Sequence, residues 1–241
     1  MNTRLIARML VLSLMVVMLW GASHVSADGP TPTAPDAAVD PQAAPIDAPT
    51  VIGPNEKFTI RATELLCLDA EESANNEPYV ILGFSQPNGQ LGSRLSFLNT
   101  SVFSGVRAGD TRQMNLTLLN NQHLARSVDI VALVMEHDST PTSEVLEQTQ
   151  FHAKVHYNFA LLNGETSNAA LRSAVAKGFG EGARAIIISG RDDDEALGPG
   201  VVSVSATDLD NLVAGESRTR TVEVTGSGGR FRLTFVITRN S

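Results

Sequence analysis

Two short runs constrain this chain most. "PYVILGF" (78–84) and "VDIVALVME" (128–136) are each too short for a typical buried helix, rich in β-branched residues, and apolar on both faces. A strand with no polar face belongs in the middle of a sheet with both faces covered. Around them the sequence reads mostly as β. "FTIRATELL" alternates at Phe58, Ile60 and Ala62, and "QMNLTLL" (113–119) is a weaker strand. "ARAIIIS" (183–189) reads as a short buried strand, followed by "GVVSVSA" and "TRTVEV". "RFRLTFVIT" places Phe231, Leu233, Phe235 and Ile237 inward and Arg232, Thr234 and Thr238 outward, after the turn signal "TGSGG". Seven to eight strands separated by turns predict a mainly β chain, an antiparallel β-sandwich.

One region departs from the period of two. Apolar positions 146, 151, 155, 159 and 162 predict a helix over 143–163, with Ser143 at its start and Asn163-Gly164 at its end. "SNAALRSAVAKGF" (167–179) predicts a second helix ending near Gly178. A two-helix insertion at about 143–179 is therefore expected within the sandwich.

The first 54 residues read differently. Arg4 and Arg8 precede a 14-residue apolar run (9–22), and "SHVSA" offers small residues for cleavage before Asp28. The run is shorter than a membrane span, so residues 1–27 are expected to be a secretory signal peptide. That places the mature protein outside the cytoplasm, secreted or periplasmic. Residues 28–54 are rich in Pro, Ala, Thr and Asp; seven of the eleven prolines occur by position 54. Such a composition predicts a disordered linker or arm. Residues 55–241 then form the folded domain, long enough for one good core.

Without its first 27 residues the chain has 16 Lys+Arg against 26 Asp+Glu, a net charge of −10. That balance argues against nucleic acid as a partner, and against an anionic membrane unless a cation intervenes. Cys67 is the single cysteine. No intramolecular disulfide is possible, and in "LLCL" it reads as a small buried hydrophobe.

The acids fall into three groups: Asp69, Glu71, Glu72 and Glu77; Glu136 and Asp138 in "MEHDS"; and Asp192, Asp193, Asp194 and Glu195. Calcium takes six to eight oxygens from carboxylates, carbonyls and water, which loops of this composition supply. The rival reading is that acidic loops only solvate the surface.

The order of these motifs resembles that of the C2 domain, the calcium-dependent membrane-binding β-sandwich of protein kinase C and synaptotagmin. More closely, it resembles a C2-like group of exported bacterial proteins of unknown function, with "DEPY" after the first strand and "DD-x-IG" in the C-terminal third. The resemblance covers about 58–138 and 192–238. It implies that Glu77 takes the place of the first-loop Asp before Pro-Tyr, that Glu136 and Asp138 match the Asp-x-Asp pair, and that Asp194 or Glu195 matches the acid before x-Ile-Gly. Asp69, Glu71 and Glu72 compete for the earlier first-loop position. Glu replaces the family's Asp at 77 and 136. The ligand set expected for calcium is Asp69, Glu72, Glu77, Glu136, Asp138 and Asp194.

His152 and His156, in "FHAKVH", share a helix face at i, i+4 spacing, but zinc needs at least one more ligand. Position 153 is not Glu, so the HExxH arrangement is absent. No GxSxG, Walker or GxGxxG pattern occurs, and "GFGEG" (178–182) follows a helix instead of opening one. Aromatics are 5% of residues and Trp20 lies in the signal, which disfavours sugar clefts. The expected function is non-enzymatic: a binding module, calcium-dependent through its acidic loops, meeting an anionic lipid or polymer at the cell surface. The alternative is an ion-free scaffold whose helical insertion contacts a protein, with Phe151, Val155 and Phe159 partly exposed.

Overall fold

A computed structural model describes residues 56–70, 76–85, 95–124, 128–137, 141–165, 167–188, 196–226 and 229–241. The expected signal peptide and the expected Pro/Ala arm lie outside these residues. Eight strands occur in chain order: β1 (Lys57–Ala70), β2 (Pro78–Ser85), β3 (Leu95–Asn99), β4 (Thr111–His123), β5 (Val128–Glu136), β6 (Ala196–Val204), β7 (Ser217–Gly226) and β8 (Gly229–Arg239). Helices α1 (Thr142–Leu162) and α2 (Asn168–Ile188) connect β5 to β6, and the short α3 (Ala206–Asp210) precedes β7.

The strands form two four-stranded sheets, ordered β4-β1-β8-β7 and β3-β2-β5-β6, with every pair antiparallel. The expected sandwich is what the chain forms. Alternation decides what fills it. Phe231, Leu233, Phe235 and Ile237 of β8 and Phe58 and Ile60 of β1 meet Val80, Leu82, Ile130 and Val134 from the second sheet. The two runs without a polar face are both central. Their other residues, Tyr79, Ile81, Val131, Leu133 and Met135, are buried beneath α1 and α2, against Val145, Tyr157, Leu171, Val175 and Phe179. The molecule thus has three layers and two cores. Each fully buried large apolar side chain contributes about 1.5–3 kcal/mol, so the helical layer is a structural requirement of β2 and β5.

Several expectations are corrected. Residues 183–188 are not a strand but the last turns of α2, so the insertion runs over 142–188; Ser189 lies outside the described residues. Strand propensity in "AIII" is overridden because α2 stays on α1: Ala183 is buried in the helix-side core. Gly178 does not end the helix. It and Gly182 are interior positions where the α1 backbone, at Ala153 and Thr149, approaches closely. Pro141, not Ser143, is the N-cap of α1, whereas Asn163 and Gly164 (φ +81°) do end it. Strand β3 and helix α3 carry no strong period and were not expected; Ser205 caps α3 in a capping box with Asp208.

The chain enters the sandwich beside its exit. The Lys57 N–H donates to the Ser241 carbonyl (3.1 Å) and the Asn240 N–H to the Lys57 carbonyl (2.7 Å).

Candidate functional sites

The register of the sheets brings the residues flanking the acidic segments to one end. Pro78 faces Glu136 and Met135 faces Ala196, while on the other sheet Ala70 faces Gly229. A Cβ on Gly226, in the β7–β8 hairpin, would meet the Ala196 carbonyl at 2.8 Å. The residues flanking all three acidic segments therefore sit at one end of the sandwich. The connection from β3 to β4 crosses the same end, stitched to β1 by Gly109 N–H to Cys67 O (2.8 Å) and to the segment just before β2 by Val106 N–H to Asn76 O (2.9 Å).

Of the six expected ligands, Glu72, Asp138 and Asp194 lie outside the described residues. Glu77 and Glu136 are neighbours. The Glu77 N–H donates to Glu136 Oε1 (3.2 Å), and the His137 N–H donates to the Glu77 carbonyl (3.1 Å). Asp69 lies at the end of β1 on the other sheet, exposed and opposite Arg230. Asp110 also belongs to this end, and its Oδ2 accepts from the Arg107 N–H and from Arg112 (3.3 Å). Among the described residues, no three His, Cys, Asp or Glu side chains form a ready metal cage. Cys67 is buried, and desolvation, with the Asp110 and Asp69 charges, pushes its thiol pKa above 9.0. That rules against an activated nucleophile.

A second feature lies on the helical layer. The face of α1 turned to the protein carries Val145, Thr149, Ala153 and Tyr157. The opposite face carries Phe151, Val155, Phe159 and Leu162, which are 56%, 49%, 61% and 70% exposed. The inner face is small only at Thr149 and Ala153, where Gly182 and Gly178 of α2 approach closely, and a second apolar stripe is left outside. Lys154 extends from this helix over the Phe97 ring, 5.6 Å from its centroid. No helix among the described residues is long and apolar enough to cross a membrane.

The third feature joins the two helices. His152 and His156 both face Glu181 of α2: His156 Nε2 lies 2.6 Å from its Oε2, and His152 Nδ1 lies 3.9 Å from the same oxygen. Lys177 Nζ is 4.0 Å from Oε1. Burial lowers the His152 pKa and the His156 charge lowers it further, against the opposing pull of Glu181. Glu181 also lines an open cleft of about 740 Å³ with Lys177, Arg184, Gly198 and Pro199. Nothing in "GFGEG" signals this role, because the pairing of two antiparallel helices brings residues 25 positions apart into contact.

No protein-family model and no curated protein sequence matches the chain. Among solved structures, the chain is similar to a C2 domain of plant extended synaptotagmin 1 (9% identity, TM-score 0.38, 78% of this chain and 97% of that one). It is also similar to human GIVD cytosolic phospholipase A2 (11%, 0.38, 81% and 17%) and to a CC2D1B structure (10%, 0.36, 76% and 55%). The chain thus spans under a fifth of the phospholipase and about half of the CC2D1B chain. At this level of superposition the likeness is one of strand arrangement, and the functional reading rests on the chain's own residues.

Proposed function

We propose that this chain is an exported, non-enzymatic binding module that meets a protein partner through the outer face of α1. One observation carries the reading: Phe151, Val155, Phe159 and Leu162 are about half to 70% exposed on a helix whose other face is fully packed. Large apolar side chains grouped in water mark interaction surfaces. Their spacing of four, four and three suits an apolar groove or a second helix on the partner. An anionic membrane fits less well. The chain is acidic, and α1 has Glu144 and Glu147 against Lys154.

Site-specific photocrosslinking in the exporting cell tests this. A photoreactive phenylalanine at position 151 should give a discrete adduct with a protein, and Phe159→Ser should abolish it. The same probe at Thr225, on β7, should give none. No adduct at 151, equal adducts at both sites, or a lipid adduct would overturn the reading.

A second reading is calcium binding at the acidic end, followed by contact with an anionic lipid or polymer. It is supported by the shared location of the residues flanking the three acidic segments. Glu77, Glu136 and Asp69 would supply oxygens together with Glu72, Asp138 and Asp194, and the ion would relieve repulsion among them.

A further inference from the structure

We propose that His152, His156 and Glu181 form a binding site for a divalent transition metal, zinc above all, that staples α1 to α2. The site adjoins the apolar stripe, since the His152 ring meets the Phe151 ring edge-on with centroids 5.5 Å apart, but it uses none of the stripe's residues.

The chemistry follows from the geometry. Two histidines one helical turn apart present imidazole nitrogens on one face, and the hairpin delivers a carboxylate between them. Imidazole with one carboxylate suits zinc, nickel and copper, whereas calcium and magnesium prefer all-oxygen sets. Zinc holds nitrogen and oxygen at about 2.0–2.2 Å, which sets tetrahedral ligand atoms about 3.3 Å apart. The two distances to Glu181 Oε2, 2.6 and 3.9 Å, bracket that separation. The three groups do not already stand in coordination geometry. The shorter contact is a hydrogen bond, and the metal would replace the proton that His156 shares with Glu181. Binding therefore requires the side chains to move so that both imidazoles and the carboxylate reach Zn–N and Zn–O distances of about 2.0–2.2 Å.

The surroundings are compatible. The histidine side chains are 27% and 21% exposed, so an ion can enter without the helices opening. Lys177 sits on the other Glu181 oxygen and would remain there or swing into water, being mostly exposed. Arg184 lies one helical turn beyond Glu181 and lines the cleft; these two cations lower the affinity relative to a neutral site. Three protein ligands leave a fourth position for water or an incoming group.

The test is titration of the full chain with zinc, followed by calorimetry and thermal melting, and with cobalt, followed by visible absorption. One equivalent of zinc should bind and raise the melting midpoint, because the metal favours the folded hairpin. Cobalt should give the intense bands of a four-coordinate ion. His152→Ala and His156→Ala should each weaken zinc binding by about tenfold or more, and Glu181→Gln by about tenfold, as loss of a metal-site partner does. These positions are partly exposed, so the variants should keep the wild-type far-ultraviolet spectrum. His156→Asn, which retains bulk and polarity, serves as a second variant with the same expected loss. Absence of saturable binding, or unchanged affinity in the histidine or glutamine variants, would overturn the site.

Discussion

Gly178 of α2 lies so close to Ala153 of α1 that an added Cβ would stand 2.5 Å from the Ala153 Cα and 2.7 Å from its nitrogen. One turn later, Gly182 meets the Thr149 Cα at 2.6 Å. The neighbours are backbone atoms, which cannot rotate away. Alanine gains about 1 kcal/mol over glycine in a helix interior, but overpacking costs about 1–3 kcal/mol and more where backbone must move. Gly178→Ala should therefore lower stability by about 2 kcal/mol, read as a fall in the urea midpoint. Gly180, between them, has only Pro199 Cδ at 4.0 Å. Gly180→Ala should stabilise by up to about 1 kcal/mol, and a loss there would contradict the account of the crossing.

Tyr157 and Phe159 are two residues apart and point opposite ways. Tyr157 is buried in the helix-side core, while Phe159 is exposed. Tyr157→Ala should cost about 3–5 kcal/mol, as other large aromatic truncations in cores do. Phe159→Ala should change stability by less than about 0.5 kcal/mol. Equal effects in chemical denaturation would mean that the outer stripe is covered in solution.

Asp208 gives the fold an acid-sensitive contact. Burial alone would raise its pKa, but hydrogen bonds from Ser205 and the Arg220 and Arg218 charges outweigh this and hold it below 3.8. A carboxyl depressed in the folded state stabilises it above the unfolded value. That contribution fades as pH falls from about 3.8 through the lower folded value. Asp208→Asn should flatten this acid limb of the melting-temperature profile. It should also cost about 1 kcal/mol near neutral pH by weakening the α3 cap. An unchanged limb would mean that other carboxyls dominate acid unfolding.

Calcium at the acidic end should raise the melting midpoint of the chain relative to chelator, at the millimolar levels suited to sites with Kd of about 10⁻⁴–10⁻³ M. Glu136→Ala with Asp138→Ala should remove the shift, while His156→Ala should leave it intact. A shift that survives the double substitution would place the ion elsewhere.

The runs 78–84 and 128–136 announced central strands because a strand with no polar face has nowhere else to go, and β8 announced itself by clean alternation. Other features were less legible. The face of α1 that packs carries Thr149 and Ala153, since close helix approach selects for size, so hydrophobicity alone pointed to the stripe left outside. "AIII" reads as strand until its helix is known to rest on a neighbour. Gly178 looks like a stop signal, and only the crossing shows that it is a contact. The acidic segments could be placed at strand ends from sequence. That the residues flanking them share one end of the sandwich is set by pairings such as Pro78 with Glu136. Glu181 had no local signal at all.

The hydrogen bonds between Lys57 and the last two residues have a mechanical consequence. Whatever precedes Glu56 is attached where β1 begins, at the end of the sandwich opposite the acidic segments. Fourteen residues of β1 separate the two, a distance of roughly 45 Å at about 3.3 Å per residue. Tension on the residues before Glu56 enters a strand flanked by β4 on one side and β8 on the other. A pull between Lys57 and the far end of the sandwich loads both ladders in shear, whereas a pull between Lys57 and Arg239 opens the β1–β8 ladder from its end, where Phe58 pairs with Arg239.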